Sequence, residues 1–151
     1  MADAQEVYAV LLALAGDTLL LPNIAVAEVL SHDRLQPAEG GPDWLAGHCE
    51  YNSRRLVVAR FESLNGRGAR EPGRRTRIAV VNCISGRLPT GQYGLICQGY
   101  PHLVTLNRTA LQKELPEPND RDDLILTRVK IANTAAAIPN LETLEAELAA
   151  L

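Results

Sequence analysis

The sequence contains little of what disulfide-rich or nucleic-acid-binding proteins usually need. Among its 151 residues there are three cysteines, an odd number without a C-x-x-C pair, which argues against a disulfide framework and favours a reducing cytoplasm. Aromatic residues make up 4% of the chain, and this scarcity disfavours base stacking. The net charge of −3 gives the whole chain no attraction to nucleic acid or to anionic lipid.

Long hydrophobic runs are also missing. The N-terminal apolar run, residues 7–15, is too short to cross a bilayer, and Asp3 and Glu6 stand where a signal peptide would have lysines. The sequence therefore predicts a cytoplasmic protein without membrane insertion. Because 46% of the residues are hydrophobic, it also predicts one folded domain of ordinary size.

Catalytic motifs are scarce as well, since the chain has no G-x-S-x-G, no H-E-x-x-H, no phosphate-binding P-loop and no G-x-G-x-x-G. His48 and Cys49 are adjacent, but neighbours on a strand point to opposite faces, so we expect a buried thiol beside a surface histidine. Asp122 and Asp123 are expected to be solvated loop carboxylates. The sequence thus predicts a protein that is not an enzyme, with a hydrolase based on Cys49 and His48 as a weaker alternative.

Two stretches of the sequence predict β-hairpins. Asn52-Ser53 is a turn pair between residues 49–51 and the β-branched run 56–61, because short polar side chains bond to the local backbone and Asn tolerates positive φ. Gly16-Asp17 suits a two-residue type II′ turn between the first two apolar runs of the chain.

The rest of the chain continues as short apolar runs separated by turn signals. Asn23 is expected to cap a helical turn or to open a bent strand, and residues 108–115 are expected to form one helical turn. Leucines at spacings of three and four behind Asn140 predict an amphipathic C-terminal helix over residues 140–151. A series of short strands separated by turn signals predicts barrels or a sandwich instead of a parallel α/β sheet. Further strands are predicted at residues 78–84, 93–100, 102–106, 124–133 and 134–140, with Cys83 and Cys97 buried inside two of them.

Basic residues concentrate in one part of the chain. Nine of the fifteen lie between Arg54 and Arg87, and residues 65–77 hold five arginines together with three glycines. The glycines predict a flexible, exposed loop. A solvated loop is the first interpretation; a docking site for an acidic protein, or a nucleic-acid-binding β-barrel that contacts phosphates, are the alternatives.

Several short motifs follow one another in a fixed order: Leu21-Pro22, Glu28-Val29, Pro42, Trp44-Leu45 and Gly47. This order resembles that of the CheW-like domains, adaptors that join chemoreceptors to a chemotaxis histidine kinase. The resemblance continues through the runs 78–84 and 93–100 to the closing strands, so it covers nearly the whole chain. LLLPNIAVAEVL, residues 19–30, looks most like ChpC-type members, which belong to chemosensory systems that control type IV pili and twitching motility.

The resemblance implies a mainly β protein, a single domain over residues 1–151 made of two intertwined, packed, five-stranded SH3-like β-barrel subdomains with short helices. It implies no catalysis and no cofactor, no nucleic acid as a partner, and binding to the regulatory domain of a histidine kinase and to the cytoplasmic tip of a chemoreceptor. In the family, a Glu of the Glu-Val segment and an Arg at the hairpin turn are tied to partner binding, although Asn52-Ser53 stands here where the family has Arg-Gly. The protein-binding residues that it implies are Glu28, Val29, Asn52, Arg54 and Arg55.

Overall fold

The computed structural model describes residues 7–68, 71–107 and 109–151, in which twelve strands form two six-stranded sheets. Two α-helices, α1 (Phe61–Leu64) and α2 (Leu141–Ala149), accompany them, with short 3-10 turns at Asn23–Ala25 and His32–Arg34. Neither of these helices has the length and hydropathy that crossing a bilayer requires. The strands are β1 (Val7–Ala13), β2 (Thr18–Pro22), β3 (Val26–Ser31), β4 (Gln36–Pro37), β5 (Leu45–Tyr51), β6 (Arg54–Ala59), β7 (Thr76–Asn82), β8 (Gln92–Gln98), β9 (His102–Leu106), β10 (Leu111–Glu114), β11 (Ile125–Ile131) and β12 (Thr134–Pro139).

The first and last strands, β1 and β12, lie in the same sheet. The first sheet has the strand order β10-β11-β12-β2-β1-β9, and the second has the order β3-β7-β8-β6-β5-β4. Most neighbours are antiparallel, whereas β12 with β2 and β6 with β8 run parallel. The first sheet therefore takes its strands from both ends of the described chain, β1 and β2 together with β9 to β12, and the second takes β3 to β8 from its middle.

Three apolar clusters stabilise the two sheets. One consists of residues of the second sheet alone, another of residues of the first sheet alone, and the largest joins both sheets to α1 and α2. Along β7, Ile78 and Val80 belong to the second-sheet cluster, while Ala79 and Val81 belong to the shared one. Because β7 is buried on both faces, its sequence is a continuous apolar run instead of an alternating one.

Several local predictions are confirmed. Asn52 and Ser53 have φ values of 51° and 65°, which gives a type I′ turn between β5 and β6. The Asn140 side chain accepts a hydrogen bond from the Thr143 amide, so α2 begins where its cap predicts. The predicted strands at 78–84, 93–100, 102–106, 124–133 and 134–140 correspond to β7, β8, β9, β11 and β12.

Other local predictions are wrong. Residues 111–114 form β10, an edge strand paired with β11, and not a helical turn; Arg108, which the same prediction included, lies outside the described residues. The last pair of the first hairpin is Ala13 with Thr18, and Gly16 is not among the described glycines with positive φ, so the turn is not type II′. Asn23 does not cap its 3-10 turn, because Pro22 holds that position without a side-chain hydrogen bond.

Three further features differ from the sequence prediction: the number of strands in each sheet, the length of the arginine-rich loop and the end of β6. Each sheet has six strands where five-stranded barrels were expected, because the short edge strands β4 and β10 complete them. The arginine-rich loop is shorter than residues 65–77, since Asn65 is buried and Thr76 already begins β7; its residues 69 and 70, like residues 1–6, lie outside the described part of the chain. Phe61 begins α1 instead of ending β6.

The cysteines also divide differently from the prediction. Cys97 is fully buried as expected, but Cys83 lies just beyond the end of β7 and is half-buried. Its Sγ donates a hydrogen bond to Glu145 Oε1 at 3.1 Å. The two thiols therefore differ in environment, even though both lie in apolar runs of the sequence.

Candidate protein-binding surface

The predicted binding residues come from two parts of the second sheet that are far apart in its strand order. The sheet curves so that these parts meet. Arg34, just after β3, donates from Nη2 to the Glu50 carbonyl oxygen of β5 at 2.9 Å, which closes the barrel between the two strands. Glu28 and Val29 lie in β3, and Asn52, Arg54 and Arg55 lie in the hairpin that joins β5 to β6.

Tyr51 connects Glu28 to this hairpin. Its hydroxyl donates to Glu28 Oε1 at 2.9 Å. This hydrogen bond to a carboxylate raises the pKa of Tyr51, because a phenolate would lose the bond and face a second negative charge. Glu28 is exposed and forms no salt bridge with the part of the chain that the structure describes, so its carboxylate remains accessible to a partner.

Arg54 and Arg55 point to different sides of the hairpin, because successive residues of a strand alternate. Arg54 is opposite Tyr51 in the strand register and donates from Nη1 to the Thr90 carbonyl oxygen at 2.7 Å. Arg55 is opposite Glu50 and lies on the other face. The structure therefore groups Arg54, not Arg55, with Tyr51 and Glu28.

The remaining two predicted residues contribute less side-chain surface. Asn52 is exposed at the tip of the hairpin, where its positive φ already accounts for its presence. Val29 is half-buried and, as the strand neighbour of Glu28, points to the other face of β3. We name the surface formed by Glu28, Tyr51, Asn52 and Arg54 the hairpin surface.

Trp44 and Gly47, two residues of the motif order, shape the fold around this surface. Trp44 packs against the shared apolar cluster, and its carbonyl oxygen accepts a hydrogen bond from the Arg60 amide at 2.7 Å. Gly47 has a φ of 147°, and a Cβ there would overlap the Gln36 carbonyl oxygen. Glycine therefore allows β4 to pair closely with β5.

His48 and Cys49 do not form a nucleophile and its base. Cys49 is fully buried, and burial raises the pKa of its thiol, which disfavours the reactive thiolate. Burial, together with the charge of Arg55, lowers the pKa of His48, which lies on the opposite face of β5. Among the described residues, no three His, Cys, Asp or Glu side chains are grouped in a way that could hold a metal ion.

Sequence reasoning assigned Tyr51 to a strand but gave it no role. The signal for it is the alternation along β5, where Tyr51 shares the inward face of Cys49 and lies at the end of that strand. A long aromatic side chain at the end of an inward face can reach across the mouth of a barrel. The partner that it reaches, Glu28, is 23 residues away in sequence and depends on how the sheet closes.

Comparisons with known proteins agree with this architecture. The family model described as CheW-like domain matches residues 9–148. Among solved structures, the scaffolding protein TtCheW from Thermoanaerobacter tengcongensis has a TM-score of 0.72 with this chain at 17% sequence identity, over 91% of this chain and 90% of that one. Comparison with curated protein sequences found no match.

Proposed function

Because the chain belongs to the CheW-like domain family, whose members are non-catalytic scaffold proteins of chemotaxis signalling, we propose that it couples a chemoreceptor to a histidine kinase. The observation that carries this proposal is the hydrogen bond between Tyr51 and Glu28, which joins the Glu-Val segment to the hairpin in one exposed surface. These are the two segments that the resemblance ties to partner binding.

The charges of the hairpin surface suit a polar partner. Glu28 and Arg54 present opposite charges on either side of Tyr51, and a surface of mixed charge selects partners of complementary pattern and speeds their encounter. We assign to Arg54 the positive charge that the family has at the turn itself. Its hydrogen bond to the Thr90 carbonyl oxygen holds the guanidinium in place, so little side-chain entropy is lost on binding.

The partners that fit this proposal are the regulatory domain of a chemotaxis-type histidine kinase and the cytoplasmic tip of a chemoreceptor, which puts the protein in the cytoplasm. A narrower proposal follows from residues 19–30, which resemble ChpC-type members: the signalling system controls type IV pili and twitching motility. Deletion of the gene should then reduce twitching and leave flagellar swimming unchanged. Normal twitching in the deletion strain would reject the narrower proposal and leave the adaptor proposal standing.

Reversing the charge of Glu28 tests the adaptor proposal directly. We expect Glu28→Lys to weaken binding to the purified kinase regulatory domain or receptor tip about tenfold, which corresponds to about 1.4 kcal/mol. The melting temperature should stay close to that of the parent, because an exposed charge contributes about 0–1 kcal/mol to stability. Glu39→Lys is the matched control, since Glu39 is an exposed carboxylate in the loop before β5, away from the hairpin.

Two results would contradict this proposal. If the parent protein binds neither the regulatory domain nor the receptor tip, the adaptor function is rejected. If Glu28→Lys and Arg54→Glu both bind like the parent, the hairpin surface is not where the partner docks. Isothermal titration calorimetry on folded, monodisperse variants distinguishes the two cases.

A further inference from the structure

A group of arginines lies at the opposite end of β7 and β8 from the hairpin surface. Arg74 and Arg77 line a cleft of about 450 Å³ together with Tyr100 and the residues that follow β3. The register pairs Thr76 with Gln98 at this end, and the other end of β7 lies about 20 Å away at 3.3 Å per residue. We name this cleft, which Arg74, Arg77 and Tyr100 line and beside which Arg75 lies against Gly99, the arginine cleft.

Carboxylates do not neutralise these arginines within the described residues. Arg77 donates from Nη1 to the main-chain carbonyl oxygens of Arg74 at 2.8 Å and Thr76 at 2.9 Å. Arg74 and Arg75 are exposed and have no side-chain hydrogen bond in the same part of the chain. Asp33 also lines the cleft, but the described salt bridges do not include it. The cleft therefore carries an excess of positive charge.

Tyr100 gives the cleft a second feature of a binding site. Its side chain is 64% exposed, and the Arg77 guanidinium lies 5.9 Å from the centroid of its ring. This cation–π contact orients the guanidinium and leaves part of its edge available as a donor. Exposed tyrosine beside arginine is the composition that protein–protein interfaces favour at their energetic centres.

We propose that the arginine cleft binds an acidic segment of a partner protein, a stretch of chain that carries several Asp or Glu side chains. A guanidinium matches a carboxylate through two parallel hydrogen bonds. The three arginines are also spread out. Arg74 and Arg77 line the cleft, whereas Arg75 lies against Gly99: its Nη2 is 2.6 Å from the point where a Cβ would stand if residue 99 had one. Spread donors suit several carboxylates along a chain better than one phosphate, which needs donors that converge.

No residue of the hairpin surface lines the arginine cleft, so each surface can be tested with its own variants. The probe for the arginine cleft is a fluorescent peptide of alternating glutamate and glycine, and its control is the same peptide with glutamine in place of glutamate. Fluorescence anisotropy with the full chain should show binding of the acidic peptide alone, and raising the salt concentration should weaken it.

Charge reversal in the cleft identifies the site. We expect Arg74→Glu to weaken binding of the acidic peptide about tenfold, or about 1.4 kcal/mol. Arg87→Glu should bind like the parent; it makes the same charge change at an exposed arginine in the loop between β7 and β8, at the other end of β7. Both side chains are exposed, so both variants should melt like the parent.

Three outcomes would overturn the proposal. The first would be that the parent protein does not bind the acidic peptide. The second would be that Arg74→Glu and Arg87→Glu weaken binding equally, which would indicate general charge attraction. The third is competition: inorganic phosphate or a single-stranded DNA oligonucleotide displaces the peptide at concentrations far below those of unlabelled peptide, which assigns the cleft to phosphate groups.

Discussion

Arginines in the two halves of the protein have different partners. Around the first sheet, Arg67, Arg121 and Arg128 form salt bridges with aspartates or a glutamate. Around the second sheet, the side chains of some arginines donate only to main-chain carbonyl oxygens, and those of others form no hydrogen bond or salt bridge within the described residues. The first kind comprises Arg34, Arg54, Arg60 and Arg77, and the second kind Arg55, Arg74, Arg75 and Arg87. Arginine side chains are thus paired with carboxylates in one half, whereas none of these eight arginines in the other half forms a salt bridge within the described residues.

Arg128 is the clearest case of the first kind. It is 6% exposed and binds Asp120 with two hydrogen bonds, at 2.9 Å from Nε and 2.7 Å from Nη2. Its Nη1 reaches Asp17 at 2.7 Å, and Asp120 also accepts from Asn65 at 3.0 Å. The network connects β11, the connection between β1 and β2 and the end of α1, so its charges are part of the fold.

The largest expected effect is therefore the loss of Arg128. Arg128→Met should lower the free energy of unfolding by about 3–5 kcal/mol, because Asp17 would be left buried without a counter-charge among the described residues and Asp120 would keep only its longer salt bridge to Arg67, at 3.3 Å. Urea denaturation at neutral pH measures this. The double variant Arg128→Met with Asp120→Asn should recover part of the loss; an unchanged stability in Arg128→Met would show that the network is dispensable.

Lowering the pH should weaken the same network. Hydrogen bonds from Arg128, ahead of those from Asn65 and the Glu117 amide, hold the pKa of Asp120 far below its usual range. The pKa of Asp120 is thus lower in the folded protein than its unfolded value of about 3.9. The ionised Asp120 therefore contributes its full stabilisation to the free energy of unfolding above the unfolded pKa, and this stabilisation is lost as the pH falls through the folded pKa.

Asp120→Asn should cost about 1–3 kcal/mol at neutral pH, because a charged hydrogen-bond acceptor is lost. Below pH about 4 its stability should fall less steeply than that of the parent, since the variant has no Asp120 proton to take up. Urea denaturation at a series of pH values checks both statements. Parallel pH profiles for the parent and the variant would contradict the assignment to Asp120.

A smaller effect is expected for Arg121, which is paired but more exposed. It binds Asp123 at 2.7 Å and Glu147 of α2 at 2.8 Å, with 30% of its side chain exposed. Solvent screens such pairs, so Arg121→Ala should cost about 1 kcal/mol or less, as measured by the midpoint of thermal unfolding. A loss of stability as large as that for Arg128→Met would show that burial does not explain the difference between Arg121 and Arg128.

The smallest effect on stability is expected in the arginine cleft. Arg74→Ala should change the free energy of unfolding by less than about 0.5 kcal/mol, because the side chain is exposed and has no described partner. Chemical denaturation beside the parent measures it. A clear loss of stability would mean that Arg74 supports the fold, and the contrast between the two halves of the protein would then disappear.

The sequence by itself determined features that a few neighbouring residues encode. Asn52-Ser53 fixed the hairpin through positive φ, and Asn140 fixed the start of α2 through its side-chain oxygen. The apolar run at residues 78–84 indicated a strand, which corresponds to β7. The order of motifs from Leu21-Pro22 to Gly47 also indicated the family, which the match over residues 9–148 confirms.

Tertiary structure alone decided features whose partners are distant in the chain. Residues 111–114 became a strand because β11 offers them an edge, and Tyr51 meets Glu28 because the second sheet curves closed. Arg128 finds Asp17 across 111 residues, whereas Arg74 finds no carboxylate among the described residues, although the two side chains are chemically identical. Backbone preferences act over a few residues, but the counter-charge of an arginine is set by how the chain folds back on itself. That physical difference determines which arginines have carboxylate partners within the described part of the fold and which do not.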